Sequence, residues 1–250
     1  MDQLVGKVAF VTGAGGGIGR AICNQFLSEG AAVVAVDIDL STIGGALSSA
    51  LDEGRAIAVQ CDVGDSDNMR EAVARAVAAF GQINVLCNVA GGSTLRDGPV
   101  TTAPEEEFWR AIKLDLFGTF LCCKYGLPAL IRAGGGSVIN MTSMVALMGV
   151  PGHDCYTAAK GAVVSITRSM AVEYASHSVR VNAIAPGITL TERVKGRIDT
   201  SEGTKRLLPR HLLGAAEPLD IAHMAVYLAS DQSRVVTGQI LSVDSGVTIS

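Results

Sequence analysis

A strand that breaks into glycines and re-enters as a helix is the feature that most restricts this chain. Val8-Ala9-Phe10-Val11-Thr12 is a β-branched and aromatic run, Gly13-Ala14-Gly15-Gly16-Gly17-Ile18-Gly19-Arg20 follows it, and a helical pattern then takes over. Glycine lets the backbone turn tightly and approach an anion, and the helix beyond it presents unpaired N–H groups to that anion. A second apolar run, Ala32-Val33-Val34-Ala35-Val36, ends in Asp37. Two strands joined through a helix pair in parallel, and a parallel sheet must be covered on both faces.

The rest of the chain repeats this alternation. Strand patterns are expected near 7–12, 32–37, 55–60, 83–87, 136–142, 178–185 and 239–243, with helical patterns between them. The clearest helix carries Met69, Ala72, Val73, Ala76, Val77 and Phe80 on one face, the i, i+3, i+4, i+7 spacing of an amphipathic segment. No linker, repeat or low-complexity tract divides the 250 residues, and 48% hydrophobic content suffices for one large core. The expected architecture is α/β: a single doubly wound domain over 1–250, with a seven-stranded parallel sheet flanked by helices on both faces. Ligands of such folds bind at the carboxyl ends of the strands. The Gly13 loop, Asp37, Asp62, Asn88, Ser143 and the Pro186 loop all follow expected strand ends, so all six can face one cleft.

The chemistry of those positions points to a dinucleotide. An acidic side chain at Asp37 can accept hydrogen bonds from both ribose hydroxyls of an adenosine and would repel a 2′-phosphate. No lysine or arginine lies within Gly13 to Gly19 or directly after Asp37, which favours NAD over NADP. Tyr156 and Lys160 stand four apart in a helical pattern and so share a face. A phenol titrates near ~10 and is a poor acid–base group at neutral pH. A lysine cation beside it is expected to pull that value down toward the working range. Ser143, just beyond the strand Ser137–Thr142, could hold a substrate oxygen against the tyrosine.

Together these motifs resemble the short-chain dehydrogenase/reductase family over nearly the full chain. Its Thr-Gly-x-x-x-Gly-x-Gly motif appears as Thr12 to Gly19, its adenine contact as Asp62-Val63, and its Asn-Asn-Ala-Gly motif as Asn88-Val89-Ala90-Gly91. Its serine maps onto Ser143, its Tyr-x-x-x-Lys onto Tyr156 and Lys160, and its Pro-Gly motif onto Pro186-Gly187-Ile188-Thr189-Leu190-Thr191. The resemblance implies a catalytic set of Ser143, Tyr156, Lys160 and Asp115. It implies cofactor contacts from Gly13, Gly15, Gly17, Ile18, Gly19, Asp37, Ile38, Asp62, Val63, Asn88, Ala90, Gly91, Tyr156, Lys160, Pro186, Gly187, Ile188, Thr189 and Thr191. Substrate contacts are expected from Ser143, Val145, His153 and Tyr156. The implied activity is reversible hydride transfer between a secondary alcohol and NAD, with Tyr156 as acid or base. Two positions depart from the family: Asp115 stands where it has an active-site asparagine that anchors a proton relay, and Ser245 where it commonly has glycine.

Two irregular stretches, 91–104 and 188–213, are expected to wall the substrate site, the second as the family's mobile substrate loop. A third wall is expected from 144–154, where Val145, Leu147, Met148, Val150 and Pro151 suggest a mainly apolar substrate with few charges. Two other readings remain: a 3-oxoacyl-[acyl-carrier-protein] reductase-like enzyme, although Lys124, Arg132 and Arg168 form no obvious carrier-docking patch, and a non-catalytic NAD-binding sensor or scaffold. A net charge of −4, from 20 basic and 24 acidic residues, gives no reason to expect nucleic acid. No apolar run approaches the ~18 residues of a membrane span. No basic start and apolar core mark a signal peptide. The chain is therefore expected in the cytoplasm, free of membrane, and by family resemblance as a homotetramer. Cys23, Cys61, Cys87, Cys122, Cys123 and Cys155 lack C-x-x-C pairing and sit mostly in apolar segments, so they are expected to be reduced core thiols. With His153, His177, His211 and His223 scattered, no metal is expected.

Overall fold

In the computed structural model, residues 2–43, 47–198 and 202–250 are described. Seven strands form one sheet: β1 (Val8–Thr12), β2 (Ala32–Asp37), β3 (Ala56–Gln60), β4 (Val85–Asn88), β5 (Gly136–Met141), β6 (Val179–Pro186) and β7 (Ile240–Val243). Their order is β3-β2-β1-β4-β5-β6-β7 and every neighbouring pair is parallel. The expected strands agree with these bounds to within two residues.

Alternation along each strand divides the core into two layers. Ala9, Val11, Val33 and Ala35 pack on one side against Ile22, Cys23 and Phe26 of α1 (Gly17–Ser28) and Ile221, Ala225 and Leu228 of α9 (Pro218–Ala229). Val8, Phe10, Val34 and Val36 pack on the other side against Met69 and Val73 of α3 (Ser66–Phe80) and Leu121 and Leu130 of α5 (Gly118–Arg132). Each of these large side chains removed from water contributes about 1.5–3 kcal/mol. The periodic helix is α3: Asp65 caps it by accepting from the backbone N–H groups of Asp67 and Asn68, and Gly81 ends it at φ +76°. The shorter α2 (Ser48–Asp52) precedes β3.

A second helical layer carries the chemistry. α4 (Glu105–Ala111) runs into a π-helical turn, Ile112–Phe117, and then α5. The joined run Glu105–Arg132 has a length and mean hydropathy sufficient for a membrane span, which the expectation of no such run did not foresee. It packs instead against α3, β4 and the long helix α6 (Asp154–Glu173). The carboxyl-side segment is less irregular than expected for 188–213: it holds α7 (Glu192–Lys195), α8 (Glu202–Leu207) and a 3-10 turn, Leu208–Arg210. Residues 199–201 of that stretch lie outside the described residues.

β1 to β3 progress toward one edge and β4 to β7 toward the other, so the order reverses between β1 and β4. The crevice at that reversal is where this architecture leaves room for a ligand.

Candidate active site

The crevice opens into a cleft of about 640 Å³. Its nucleotide end is built by missing side chains. Gly13 turns at φ +68°, and a Cβ there would come within 2.8 Å of the Ala90 Cα, so the loops after β1 and β4 touch backbone to backbone. The Thr12 hydroxyl fixes that contact by accepting the N–H groups of Val89 (3.1 Å) and Ala90 (3.2 Å). A Cβ on Gly15 would collide with Thr42, one on Gly17 with Thr191, and one on Gly19 with the Gly13 carbonyl. The result is a bare backbone cradle at the start of α1, a shape and polarity that fit a pyrophosphate. Asp37 lines the same end and accepts the Gly15 N–H at 2.9 Å. Ile38, Asp62 and Val63 line it too. Arg20 is held away from Asp37: it donates to the Gly15 carbonyl at 3.0 Å and pairs with Glu192 at 3.6 Å.

The reacting end gathers Ser143, Tyr156 and Lys160. Ser143 caps the 3-10 turn Met144–Ala146 after β5, and its hydroxyl, which accepts the Val145 N–H at 3.4 Å, exerts a small downward pull on the Tyr156 pKa. Lys160, one turn of α6 beyond Tyr156, is buried. Its Nζ donates to the Met141 carbonyl at 2.7 Å and lies 5.5 Å from the Tyr156 ring centroid. Asp115 does not line the cleft; it is fully buried beneath it. Its Oδ1 meets Lys160 Nζ at 3.0 Å and accepts the Gly92 N–H at 2.8 Å, while Oδ2 has no partner. The Asp115 main-chain carbonyl accepts the Thr119 hydroxyl at 2.9 Å.

Burial, helped by Asp115, reverses one expectation. The Tyr156 pKa is raised, not lowered. Burial in the cleft wall pushes it up, the Lys160 cation pulls it down, and Asp115 behind that cation pushes it up again. Burial likewise pulls Lys160 down, but Asp115 and then Tyr156 outweigh it, so the lysine stays firmly protonated.

Other expected residues divide. Ala90, Gly91, Pro186, Gly187, Ile188, Thr189 and Thr191 line the cleft, as do Val145 and His153. The His153 Nδ1 is shielded and unpartnered. Asn88 does not line it. Its amide donates instead to Asn140 at 2.8 Å, tying β4 to β5, and Asn140 passes the link to Thr167 at 2.9 Å. The expected third wall is smaller than the sequence suggests: Leu147, Met148, Val150 and Pro151 do not line the cleft, Leu147 is exposed, and Val150 and Met148 pack behind the cleft-lining Val145. Burial raises the Cys155 thiol to about 11, so no thiolate stands beside Tyr156.

Several residues at the site carried no sequence pattern that distinguished them. Asp97 accepts the N–H groups of Cys155 (3.1 Å) and Tyr156 (3.0 Å), capping the catalytic-face helix from 58 residues away. Arg110 donates to the Gly92 carbonyl at 3.1 Å and pairs with the buried Glu107, which also accepts from Thr94 at 2.8 Å. Arg193 donates to the Gly91 carbonyl at 3.4 Å and Arg197 to that of Ser93 at 3.3 Å. His211 accepts the Ile188 N–H on Nε2 at 2.9 Å, which places its proton on Nδ1, facing the Leu207 carbonyl at 3.0 Å.

A glycine cradle at the β1–β4 reversal and a Ser–Tyr–Lys group at the other end of one cleft are the combination that comparison with known proteins can test. The profile of a family described as enoyl-(acyl carrier protein) reductase matches residues 13–248. A 2,5-dichloro-2,5-cyclohexadiene-1,4-diol dehydrogenase of Sphingobium indicum is 37% identical over 252 residues, covering 99% of each chain. A 3-oxoacyl-[acyl-carrier-protein] reductase of Thermotoga maritima is 35% identical, covering 99% of this chain and all of its own. A 7α-hydroxysteroid dehydrogenase solved with NADH and 7-oxo glycochenodeoxycholic acid superposes with a TM-score of 0.90 at 33% identity, covering 98% of this chain and 96% of that one. The chain belongs to the short-chain dehydrogenase/reductase family. As a member it is an oxidoreductase acting with a nicotinamide cofactor on a small molecule. Its two departures from the family now have physical settings. Asp115 exchanges a neutral amide for a buried carboxylate against Lys160. Ser245 sits in the left-handed region at φ +52°, the backbone that glycine adopts freely.

Proposed function

We propose that this short-chain dehydrogenase/reductase oxidises a secondary alcohol to a ketone with NAD, reversibly, using Tyr156 as the acid–base group. The observation that carries the reading is the convergence of Ser143, Tyr156 and Lys160 at one end of a cleft whose other end is a glycine cradle closed by Asp37. A bound nicotinamide would supply the two-electron step as a hydride acceptor or donor. Gly13, Gly15, Gly17, Ile18 and Gly19 would hold its pyrophosphate. Asp37 and Ile38 would take the adenosine ribose, and Asp62 and Val63 the adenine. The carboxylate of Asp37 disfavours a 2′-phosphate, and Arg20, engaged by Gly15 and Glu192, does not offset it.

At the reacting end, Ser143 would donate to the substrate oxygen and hold it against the phenol. Tyr156 would take the hydroxyl proton during oxidation and return it during reduction. Lys160, fixed by Met141 and Asp115, would steady the phenolate and bond the nicotinamide ribose. Ala90, Gly91 and the strap Pro186 to Thr191 would close over the nicotinamide. Val145 and His153 would touch substrate. We further propose a cytoplasmic homotetramer.

The test is NADH formation, read by ultraviolet absorbance, across secondary alcohols, diols, hydroxysteroids and hydroxyacyl thioesters, with NAD and NADP in parallel. Tyr156→Phe should retain NAD affinity and lose at least about a hundredfold in kcat. Full turnover in that variant would remove Tyr156 from the chemistry. Turnover confined to acyl-carrier thioesters with NADP would favour the carrier-protein reductase reading instead.

A further inference from the structure

We propose that the reacting end of the cleft is an anion-recognition site, in which Arg193 binds a carboxylate-class group on an otherwise apolar alcohol. The proposal rests on the dehydrogenase reading for what is oxidised, and adds which substrates are chosen.

Position is the first argument. Arg193 comes from α7 and lines the cleft on its exposed side. Its guanidinium lies flat on Gly92, so close that a Cβ on that glycine would collide with it. The opposite side of the Gly91–Gly92 step faces Asp115 and, 3.5 Å from a Gly91 Cβ, Lys160 Nζ. Two glycines thus separate the Arg193 charge from the Tyr156–Lys160 group. The charge is felt there, since Arg193 exerts a minor downward pull on both pKa values against their net rise.

Charge balance is the second. Lys160 is neutralised by Asp115 at 3.0 Å, and Arg20 is paired with Glu192 at 3.6 Å. Asp37 and Asp62 lie at the nucleotide end. Among the described residues Arg193 has no carboxylate within 4.0 Å, and its one hydrogen bond is the long 3.4 Å contact to the Gly91 carbonyl. Among the described residues, the cleft is therefore acidic where the adenosine would lie, and Arg193 at the reacting end is its cation without a carboxylate partner. A planar fork with several free donors suits bidentate binding of a carboxylate or sulfonate.

The lining is the third. Val145, Ile188 and Leu207 are buried in one apolar cluster, with Val194 packed on it, and all four line the cleft. A substrate that satisfies both wall and fork has a hydrocarbon body, a secondary hydroxyl at Tyr156 and an anion at Arg193. Of the apolar wall expected over 144–154, Val145 is part of this site, and Arg193 supplies a part that sequence did not suggest.

The cofactor is the competing anion, and the experiment separates it. Matched acids and amides serve as probes: 3-hydroxybutyrate with 3-hydroxybutanamide, and 4-hydroxycyclohexanecarboxylate with its carboxamide. Steady-state oxidation with NAD is measured for wild type, Arg193→Leu and Arg193→Lys. In parallel, binding of the unreactive pair cyclohexanecarboxylate and cyclohexanecarboxamide is titrated calorimetrically against the NADH-saturated protein. At least one acid should be preferred over its amide by about tenfold or more in kcat/KM, and cyclohexanecarboxylate over its amide in affinity. Arg193→Leu should erase that preference through KM while leaving NAD affinity within about twofold, and Arg193→Lys should recover part of it. Equal use of acid and amide by wild type, or an Arg193→Leu variant that loses NAD affinity rather than acid preference, overturns the proposal. If no alcohol is oxidised but the carboxylate still binds in an Arg193-dependent way, the anion site stands and the dehydrogenase reading falls. If neutral alcohols alone are oxidised, the reverse holds.

Discussion

Asp115 is the departure from the family that bears directly on the electrostatics of the site. A family asparagine at this place would leave the Lys160 ammonium unopposed beside the phenol. Here a fully buried carboxylate lies 3.0 Å from it, and the phenol is raised by burial and by Asp115 against the pull of Lys160. Asp115→Asn keeps the shape and an oxygen for the Gly92 N–H, and removes only the charge. Tyr156 should then titrate lower. Oxidation that needs the phenolate should gain its alkaline-side activity at a lower pH, so the acid limb of the kcat profile moves down the pH scale. A limb that stays in place would show that Asp115 does not act on Tyr156. Asp115→Ala is a different experiment: it leaves the ammonium buried without its counter-charge and should cost about 3–5 kcal/mol of stability, read by denaturant unfolding. At the nucleotide end, Asp37→Ala should weaken NAD and raise the NADP-to-NAD ratio of kcat/KM by roughly tenfold, since it removes like-charge repulsion against a 2′-phosphate. An unchanged ratio would place cofactor choice elsewhere.

At the scale of elements, α6 must hold Tyr156 and Lys160 rigidly, yet its own N-cap residue, His153, makes no capping bond. Asp97 does so from the irregular segment after β4, taking the N–H groups of Cys155 and Tyr156. Asp154 returns the link by accepting the Val100 N–H at 2.7 Å. The loop and the helix therefore fix each other. Asp97→Ala should cost about 2 kcal/mol, lowering Tm by roughly 4–8 °C. It should lower kcat more than it weakens NAD binding, because it loosens Tyr156 and not the cradle. Asp97→Asn, which can still accept at one oxygen, should recover most of both. Equal losses in the two parameters, or no rescue, would make Asp97 a general fold contact. This pair also shows where sequence reasoning stops. The strand ends, the glycine turn and the Tyr–Lys spacing are local patterns, so seven strands and most of the cleft lining could be placed from them. Asp97 lies in Arg96-Asp97-Gly98-Pro99, which reads as an ordinary turn. Its partner is 58 residues away, and no local periodicity encodes that distance. Arg193 and His211 escaped for the same reason, since each is defined by backbone it meets far along the chain, Gly91 for the first and Ile188 for the second. Asn88 shows the opposite error: the motif is local and visible, but burial turned its amide into the sheet.

For the whole molecule, the sheet reversal collects the site on one side and leaves the outer face of the α4–α5 run to be accounted for. Phe108, Trp109, Phe117 and Phe120 are exposed there, with Trp109 at 63%. The chain has six Phe and one Trp, and four of those seven residues are exposed on this run. Phe117 and Phe120 stack at 6.1 Å, and Phe108 meets Trp109 edge-on at 5.3 Å, so the rings form two ordered pairs. Aromatic surface of this extent is costly in water and is the usual composition of a contact between subunits. The same run carries Asp115 on its inner side, at the π turn between Phe117 and Ile112. An assembly through this face would therefore brace the helix that sets the charge on Lys160. Light scattering of the wild type should give about four times the 25.8 kDa chain mass. Phe120→Glu places a carboxylate on this exposed aromatic surface, at a residue that does not line the cleft, and should shift the mass to dimers or monomers. Because the brace is lost with the contact, the smaller species should also show a lower Tm and a lower kcat at unchanged NAD affinity. A wild type that is monomeric at micromolar concentration would remove both the assembly and its coupling to the site, and a dissociated variant with full kcat would remove the coupling alone.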